Sequence, residues 1–338
     1  MAYLQILKPG IQTTVQDAGR PQHQRDGFPE SGSIDQGAAR VANLLVGNAE
    51  QAAVLEFSLL GPTIEFSAPT FIALTGAEFA TDLNGEPLAA NRCWQVQAGD
   101  VLTIGNATKG RVGYLAVAGG IQTQPVLGSR STTMRLHLGG LNGQALAAGD
   151  LLPVKRQVVL PSYFHRHLPA ERLPEQATPA EIRLLKGPQW DWFDEATQTA
   201  LVDSEYEISN QADRMGYRLT GPKLTVPERS LLSTATVRGA LQVPANGQPI
   251  VLLADRQTTG GYPIIAVVAT VDLGYFAQCQ PGQKVRFKLI DLPTAQTLLA
   301  DVRQPLDELE QTVITGKYKP PYGISRVASQ RIARLFED

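Results

Sequence analysis

Cysteine is nearly absent from this chain: among 338 residues only Cys93 and Cys279 carry thiols, far apart in sequence. A disulfide-stapled fold is excluded by that scarcity, and a reducing, cytoplasmic compartment is expected. Long apolar runs are missing as well. None approaches the roughly 18–20 residues that span a bilayer, so no membrane association is expected. The opening run Met1-Ala2-Tyr3-Leu4-Gln5-Ile6-Leu7 lacks the charged-then-apolar layout of an export signal. Neither sign of charge dominates. With 30 Lys and Arg against 32 Asp and Glu, the net charge of −2 argues against sequence-independent nucleic-acid binding. Histidine is scarce at four residues, and no His-Glu-x-x-His occurs. The one close pair, His165-x-His167, has no neighbouring Cys, so no metal site is expected. A P-loop string and a Gly-x-Ser-x-Gly elbow are also lacking. The three methionines, Met1, Met134 and Met215, flank no lysine, which leaves no biotin-carrier signature.

What is abundant is punctuation. Gly (31) and Pro (23) separate short runs rich in Val, Ile, Leu, Phe and Thr, the pattern of a β-dominated protein. Thr70 to Leu74, Phe79 to Leu83, Val101 to Ile104 and Arg111 to Val117 read as strands. So do Glu181 to Lys186, Ile250 to Ala254, Ile264 to Ala269 and Lys284 to Leu289. Asn84-Gly85 fits a type I′ hairpin turn, which needs positive φ at both central residues. At about 150 residues per domain the length suggests two domains, and 43% hydrophobic residues suffices for two cores.

Two stretches repeat. Leu7-Lys8 is answered by Leu185-Lys186, Ser31 by Ser209, Asp35 by Asp213, Arg40 by Arg218 and Gly61 by Gly239, each pair 178 positions apart. Residues 98–105 are echoed by 281–288 as a turn-then-strand unit. Such a period suggests two related modules, with the cleft between them as the natural place for a small-molecule site. Helices are few. Ser33 to Val46 carries a cap candidate and a stop at Gly47. Leu298, Val302, Leu306, Leu309 and Val313 form a helical stripe that Pro305 is expected to kink or break. These signals divide the chain into a first module (1–155), a Pro-rich linker (156–180), a second module (181–313) and a tail (314–338). A short basic helix, Ile324 to Phe336, is expected in the tail.

The strongest candidate segment for chemistry is Ala254-Asp255-Arg256-Gln257-Thr258-Thr259-Gly260-Gly261-Tyr262-Pro263, which follows an apolar strand. Strand ends are common sites of function, and paired glycines let backbone N–H groups approach a ligand. Its plain alternative is a polar turn. Second comes Gly10 to Arg20, with Gln12, Thr13, Thr14, Asp17 and Arg20 able to clamp a planar carboxyl or amide group, or else to stabilise a β-edge turn. Third, Ser129, Arg130 and Ser131 form either an anion nest or a solvated turn. Ser33 and Asp35 are either helix caps or part of an anion site at the helix N-terminus. Glu56 interrupts an apolar strand, where alternation places it in solvent or function holds it inside.

Taken in order, Gly10 to Arg20, Ser31 to Asp35, Gly128 to Thr132, Asp213-Arg214-Met215-Gly216-Tyr217-Arg218-Leu219 and Ala254 to Pro263 resemble the blocks of the allophanate hydrolase subunit 2, or KipA, family. It is also called the biotin-dependent carboxyltransferase-like family. The resemblance spans about residues 4 to 312 and implies a mainly β fold of two cyclophilin-like β-barrel modules from an internal duplication, with a few helices. Since bacterial members include the C component of the ATP-dependent 5-oxoprolinase, it implies lactam opening to L-glutamate with ATP hydrolysis. It also implies two partners, a KipI-type B component and a LamB/YcsF-type A component. ATP is then the expected cofactor, on this chain or a partner, with nothing covalently bound. On that reading Asp255, Arg20 and Asp17 are the catalytic candidates. Gln12, Thr13, Thr14, Arg256, Gln257, Thr258, Thr259, Gly260, Gly261 and Tyr262 are the substrate-binding candidates. A fused relative implies the alternative of biotin-dependent carboxyl transfer to urea or a related amide. A non-catalytic regulator that binds a KipI-like partner is the third possibility.

Overall fold

A computed structural model describes residues 2–155 and 180–316. The linker expected over 156–180, apart from Ala180, lies outside the described residues, as do His165, His167 and the tail helix over 324–336. The protein is mainly β, with 40% strand and 18% helix.

The first module is built from β1 (Ala2–Lys8), β2 (Thr13–Gln16), α1 (Gln36–Leu45), β3 (Val54–Ser58), β4 (Thr63–Phe66), β5 (Thr70–Leu83), β6 (Glu86–Pro87), β7 (Cys93–Val96), β8 (Val101–Val117) and β9 (Leu151–Val154). They form a 9-stranded sheet with the order β2-β3-β8-β4-β1-β9, to which β5 adds by pairing with β8. The runs expected as four separate strands are two long ones: β5 and β8 pair antiparallel from Ile72↔Val117 to Leu83↔Leu102. The Asn84-Gly85 turn after β5 takes the expected positive φ at both residues (55° and 86°).

The second module contains β10 (Ala180–Lys186), α2 (Glu195–Asp203), β11 (Glu205–Ala212), β12 (Gly216–Thr220), β13 (Thr234–Ala235), β14 (Ala240–Gln242), β15 (Ile250–Leu252), β16 (Thr259–Gly260), β17 (Ile264–Val268), α3 (Leu273–Ala277) and β18 (Lys284–Leu289). Here the strands close into a barrel, β10-β17-β14-β15-β12-β11-β18, whose seam is the parallel pair Ala180↔Val285 to Leu184↔Leu289. Outside the barrel, β13 and β16 form a two-stranded ribbon.

The sequence period holds where it is architectural. β10 opens 178 residues after β1, and the turn glycines Gly99 and Gly282 that precede β8 and β18 both adopt left-handed φ (87° and 84°). Elsewhere it does not mark equivalent places. Arg40 is on α1 whereas Arg218 is on β12, and Ser31 is in a loop whereas Ser209 is on β11.

Each module has its own core. Leu4, Ile6, Phe57, Ile64, Phe66 and Leu115 fill the first, and Ile182, Leu184, Ile208, Leu219, Val251 and Phe287 fill the barrel. Each such side chain stabilises by about 1.5–3 kcal/mol when fully buried. Ile34, from the first module, packs into the barrel's core and joins the two. The other face of the first sheet is covered by α1, whose Ala42, Leu45 and Val46 pack on Phe71, Ala73 and Tyr114.

Helices depart from expectation in three ways. α1 begins at Gln36 with Asp35 as its cap, accepting from Ala38 N at 3.0 Å, so Ser33 is not the cap. α2 lacks a clear apolar periodicity in the sequence; Asp194 starts it by accepting from Thr197 N at 2.7 Å. The third is α4 (Leu292–Gly316), which is one helix through Pro305 and past residue 313. It lies on α1, where Arg40 contacts Asp307 (2.7 Å) as well as Glu50 (2.6 Å). Among the described residues no helix is long and apolar enough to cross a membrane, and no His/Cys/Asp/Glu group of three or more is arranged to hold a metal.

Candidate functional site

A narrow cleft, open to solvent at its mouth, lies between the modules. The first contributes Gln12, Thr14, Ile34, Glu56, Phe57, Ser58, Arg111 and Val112; the second contributes Asp213, Arg214 and Tyr217. Strand geometry explains the choice. In β3 the side chains alternate, so Leu55 and Phe57 enter the sheet core while Val54 and Glu56 face the other way. That second face is covered, not solvated, which leaves Glu56 only 4% exposed.

At the base of the cleft Arg214 joins the modules. Its Nε and Nη2 grip both oxygens of Asp255 (2.8 and 3.1 Å), its Nη1 donates to Glu56, and Nη2 also donates to the Gly32 carbonyl at 2.8 Å. The second Glu56 oxygen accepts from Ile34 N and the Tyr114 hydroxyl, each at 2.8 Å. Burial opposes the charge on Arg214, but Asp255 and Glu56 outweigh it and hold the guanidinium firmly protonated. Burial, reinforced by Glu56 and Asp35, pushes the Tyr114 hydroxyl well above its ordinary value, so it stays a donor.

Around this centre the segment Ser31-Gly32-Ser33 serves as a hub. Ser31 and Gly32 both have positive φ (54° and 83°), and a Cβ on Gly32 would lie 2.8 Å from the Gly19 nitrogen. Arg238 donates to the carbonyls of Ser31 (2.8 Å) and Ser33 (3.2 Å). Arg20, 1% exposed, donates to Thr133 Oγ1 and to the Ser131 carbonyl. Burial lowers the pKa of both Arg20 and Arg238 from the usual range.

The residues proposed from sequence fall into three groups. Gln12 and Thr14 line the cleft, whereas Thr13 points to the Pro9 carbonyl (2.6 Å). Asp255, Arg20 and Asp17, the catalytic candidates, do not line it. The Asp17 carboxylate accepts from Gly19 N (2.8 Å), Ser129 Oγ (2.6 Å), Arg130 N (2.6 Å) and Ser131 Oγ (2.5 Å). The donors expected to make an anion nest at Ser129, Arg130 and Ser131 are therefore turned onto the protein's own carboxylate. Lastly, the loop from Arg256 to Tyr262 does not line the cleft. Arg256 pairs with Glu30 at 3.0 Å, Gln257 reaches Gln242 at 3.3 Å, and Thr258 supplies its carbonyl to Thr236 N at 3.0 Å. Thr259 and Gly260 form the ribbon strand, while Gly261 and Tyr262 are exposed.

Arg111 and Ser58 line the cleft without having been singled out. A lone arginine inside a strand-like run gives no sequence signal, because only the tertiary fold brings it against Tyr217. Arg214 and Tyr217 were visible only as part of the block Asp213 to Leu219.

Residues 26–289 match the family described as carboxyltransferase domain, subdomain A and B. The chain is 39% identical over 307 residues to the C component of the Escherichia coli 5-oxoprolinase, covering 90% of this chain and 97% of that one. It is 31% identical to the urea amidolyase of Lachancea kluyveri over 94% of its own length but 19% of the larger protein. Among solved structures, the Kluyveromyces lactis urea carboxylase superposes with a TM-score of 0.84 at 29% identity, over 92% of this chain and 29% of that one. The K. lactis urea amidolyase gives 0.83 at 30% identity, over 91% of this chain and 20% of its own.

Proposed function

This chain belongs to the carboxyltransferase domain family, subdomains A and B together, and on that premise we propose that it is the C component of an ATP-dependent 5-oxoprolinase. The observation that carries this reading is the 39% identity to a protein named as that component, over 90% of this chain and 97% of that one. Its partners on this reading are a KipI-type B component and a LamB/YcsF-type A component, and the assembled enzyme opens 5-oxoproline to L-glutamate.

The chemistry asks for a pocket that holds a small amide and keeps stray water away. A lactam is a stable amide, so phosphorylating its oxygen is needed to make the carbon electrophilic. Gln12, Thr14 and Ser58 offer polar groups to such a ligand, while Ile34, Phe57, Val112 and Tyr217 supply an apolar wall. The Thr14 hydroxyl accepts from Gln16 at 3.0 Å, which leaves its own proton to donate toward the cleft. Preorganised donors of this kind stabilise a developing oxyanion. Asp255 acts at one remove by fixing the fork of Arg214.

Among the described residues, neither the turn at 129–131 nor the cleft is fitted to a triphosphate. The donors at 129–131 are taken by Asp17, and in the cleft Arg214 is already paired with Glu56 and Asp255, which leaves one arginine where a triphosphate needs several cations. On this reading ATP is held by a partner or shared with one.

Co-expression with the two partners tests the reading. ATP-dependent glutamate release from 5-oxoproline is expected, falling at least about tenfold for Thr14→Val with assembly intact. An assembled complex that releases no glutamate would refute it. The second reading, biotin-dependent carboxyl transfer to urea or a related amide, draws on the superposition with the K. lactis urea carboxylase. Carboxylation of urea by this chain with a biotinylated carrier would favour it.

A further inference from the structure

This inference rests on the reading that the intermodule cleft receives a small amide, and concerns which amide. Most charged groups of the cleft are matched by the protein itself. Glu56 is neutralised by Arg214, and Asp213 is exposed, with Oδ1 accepting from Met215 N (2.8 Å) and Gly216 N (3.2 Å) of its own turn. Arg111 is different. Its backbone N–H donates to Gln278 Oε1 at 3.0 Å, and its Nη2 to the Ala212 carbonyl at 2.6 Å. The guanidinium carbon lies 4.5 Å from the centre of the Tyr217 ring. The side chain is 7% exposed, and Nη1 is buried with no hydrogen-bond partner.

Three facts converge on this arginine. It lines the cleft; it is held by a carbonyl and an aromatic face; and it has no carboxylate partner among the described residues, whereas Arg214, the other arginine of the cleft, has two. A buried donor without an acceptor is costly, and a guanidinium is the side chain best shaped to receive a carboxylate. We infer that Arg111 anchors a carboxylate carried by the ligand, so the cleft selects a small amide that bears an acidic group over a neutral amide such as urea. Arg111 is thus a specificity-determining residue in a region where the reacting amide would face Gln12, Thr14 and Ser58.

The test compares two probes that share a lactam ring and differ in the acid: 5-oxoproline and 2-pyrrolidinone. Binding to the full-length chain is measured by ligand-observed NMR or calorimetry. The wild type is expected to hold 5-oxoproline at least about tenfold more tightly, and Arg111→Gln to lose that preference while keeping its melting temperature. Arg111→Lys, which keeps the charge without the planar fork, should recover part of it. Equal binding of the two probes, no binding of either at millimolar concentration, or a preference that survives in Arg111→Gln would overturn the inference. If Arg111→Gln fails to fold, the wild-type probe comparison and Arg111→Lys still decide it. In the assembled enzyme, active wild type with an unchanged KM in Arg111→Lys and Arg111→Gln sinks this inference and leaves the functional reading standing. An Arg111-dependent preference without turnover in the assembled complex sinks the functional reading alone.

Discussion

Glu56 of the first module and Arg214 of the second meet in an ion pair at the base of the cleft, each almost wholly buried. The same guanidinium grips Asp255, so one cation balances two carboxylates from two modules. Removing it strands both. Arg214→Met is expected to destabilise the protein by about 3–5 kcal/mol in urea unfolding, since breaking a buried pair leaves uncompensated charge. Arg214→Lys should cost less. A loss within experimental error for Arg214→Met would contradict this account of the junction.

Gln278 makes a second junction. Its Oε1 accepts from Arg111 N and Val112 N (both 3.0 Å), and its Nε2 donates to Asp35 (2.9 Å) and the Val112 carbonyl (3.0 Å). Gln278→Ala orphans these groups at about 1–3 kcal/mol each, so stability should fall and hydrogen exchange at Val112 should accelerate. Unchanged exchange there would show that water replaces the amide.

The Asp17 carboxylate holds the turn at 129–131 by three hydrogen bonds. In Asp17→Ala those donors lose their acceptor, and trypsin should cut after Arg130 at least about tenfold faster than in the wild type. Equal digestion rates would mean the turn is held by other contacts.

Alkaline pH offers a test that needs no mutation. Burial raises the Tyr206 hydroxyl to about 12 and Tyr114 well above 10.0. The folded state therefore keeps protons that the unfolded chain releases above pH 10. The tyrosines' contribution should be fully present below pH 10 and decline as the pH rises further, by up to about 1.4 kcal/mol per unit for each. It comes on top of an earlier decline from about pH 9 due to the buried Cys279 thiol, which burial also pushes up. Urea midpoints measured from pH 9 to 11.5 check this, and Tyr206→Phe should flatten the curve. A midpoint flat to pH 11.5 in the wild type would rule it out.

Local signals in the sequence located β5, β8, β10, β15, β17 and β18, fewer than half of the strands. The Asn84-Gly85 turn, the apolar run at 264–269 and the period linking β1 to β10 were readable because each depends on neighbours in the chain. The joining of strand segments into β5 and β8 was not readable, since Gly76 and Gly110 look like terminators and act as kinks within continuous strands. The placement of α4 through Pro305 runs against a local rule in the same way.

The cleft was legible in outline and less so in its residues. Two modules predict a groove between them, and Gln12 and Thr14 do line it. Polar density singled out the Asp255 loop, yet Asp255 and Arg256 use their charges on Arg214 and Glu30. Composition cannot distinguish a group that meets a ligand from one that orients its neighbour. Arg111 illustrates the reverse error, for nothing near it in sequence hints at the Tyr217 ring 4.5 Å away.

The seam of the barrel has a bearing on how this protein is made. Ala180 finds its parallel neighbour at Val285, so the first strand of the barrel must wait for more than a hundred further residues to leave the ribosome. The opening module meets a similar delay on one side of β1, which pairs with β4 early but waits for β9 to bring Val154 opposite Ala2. During that interval β10 presents a bare edge, the kind of surface that recruits stray strands and calls for a chaperone.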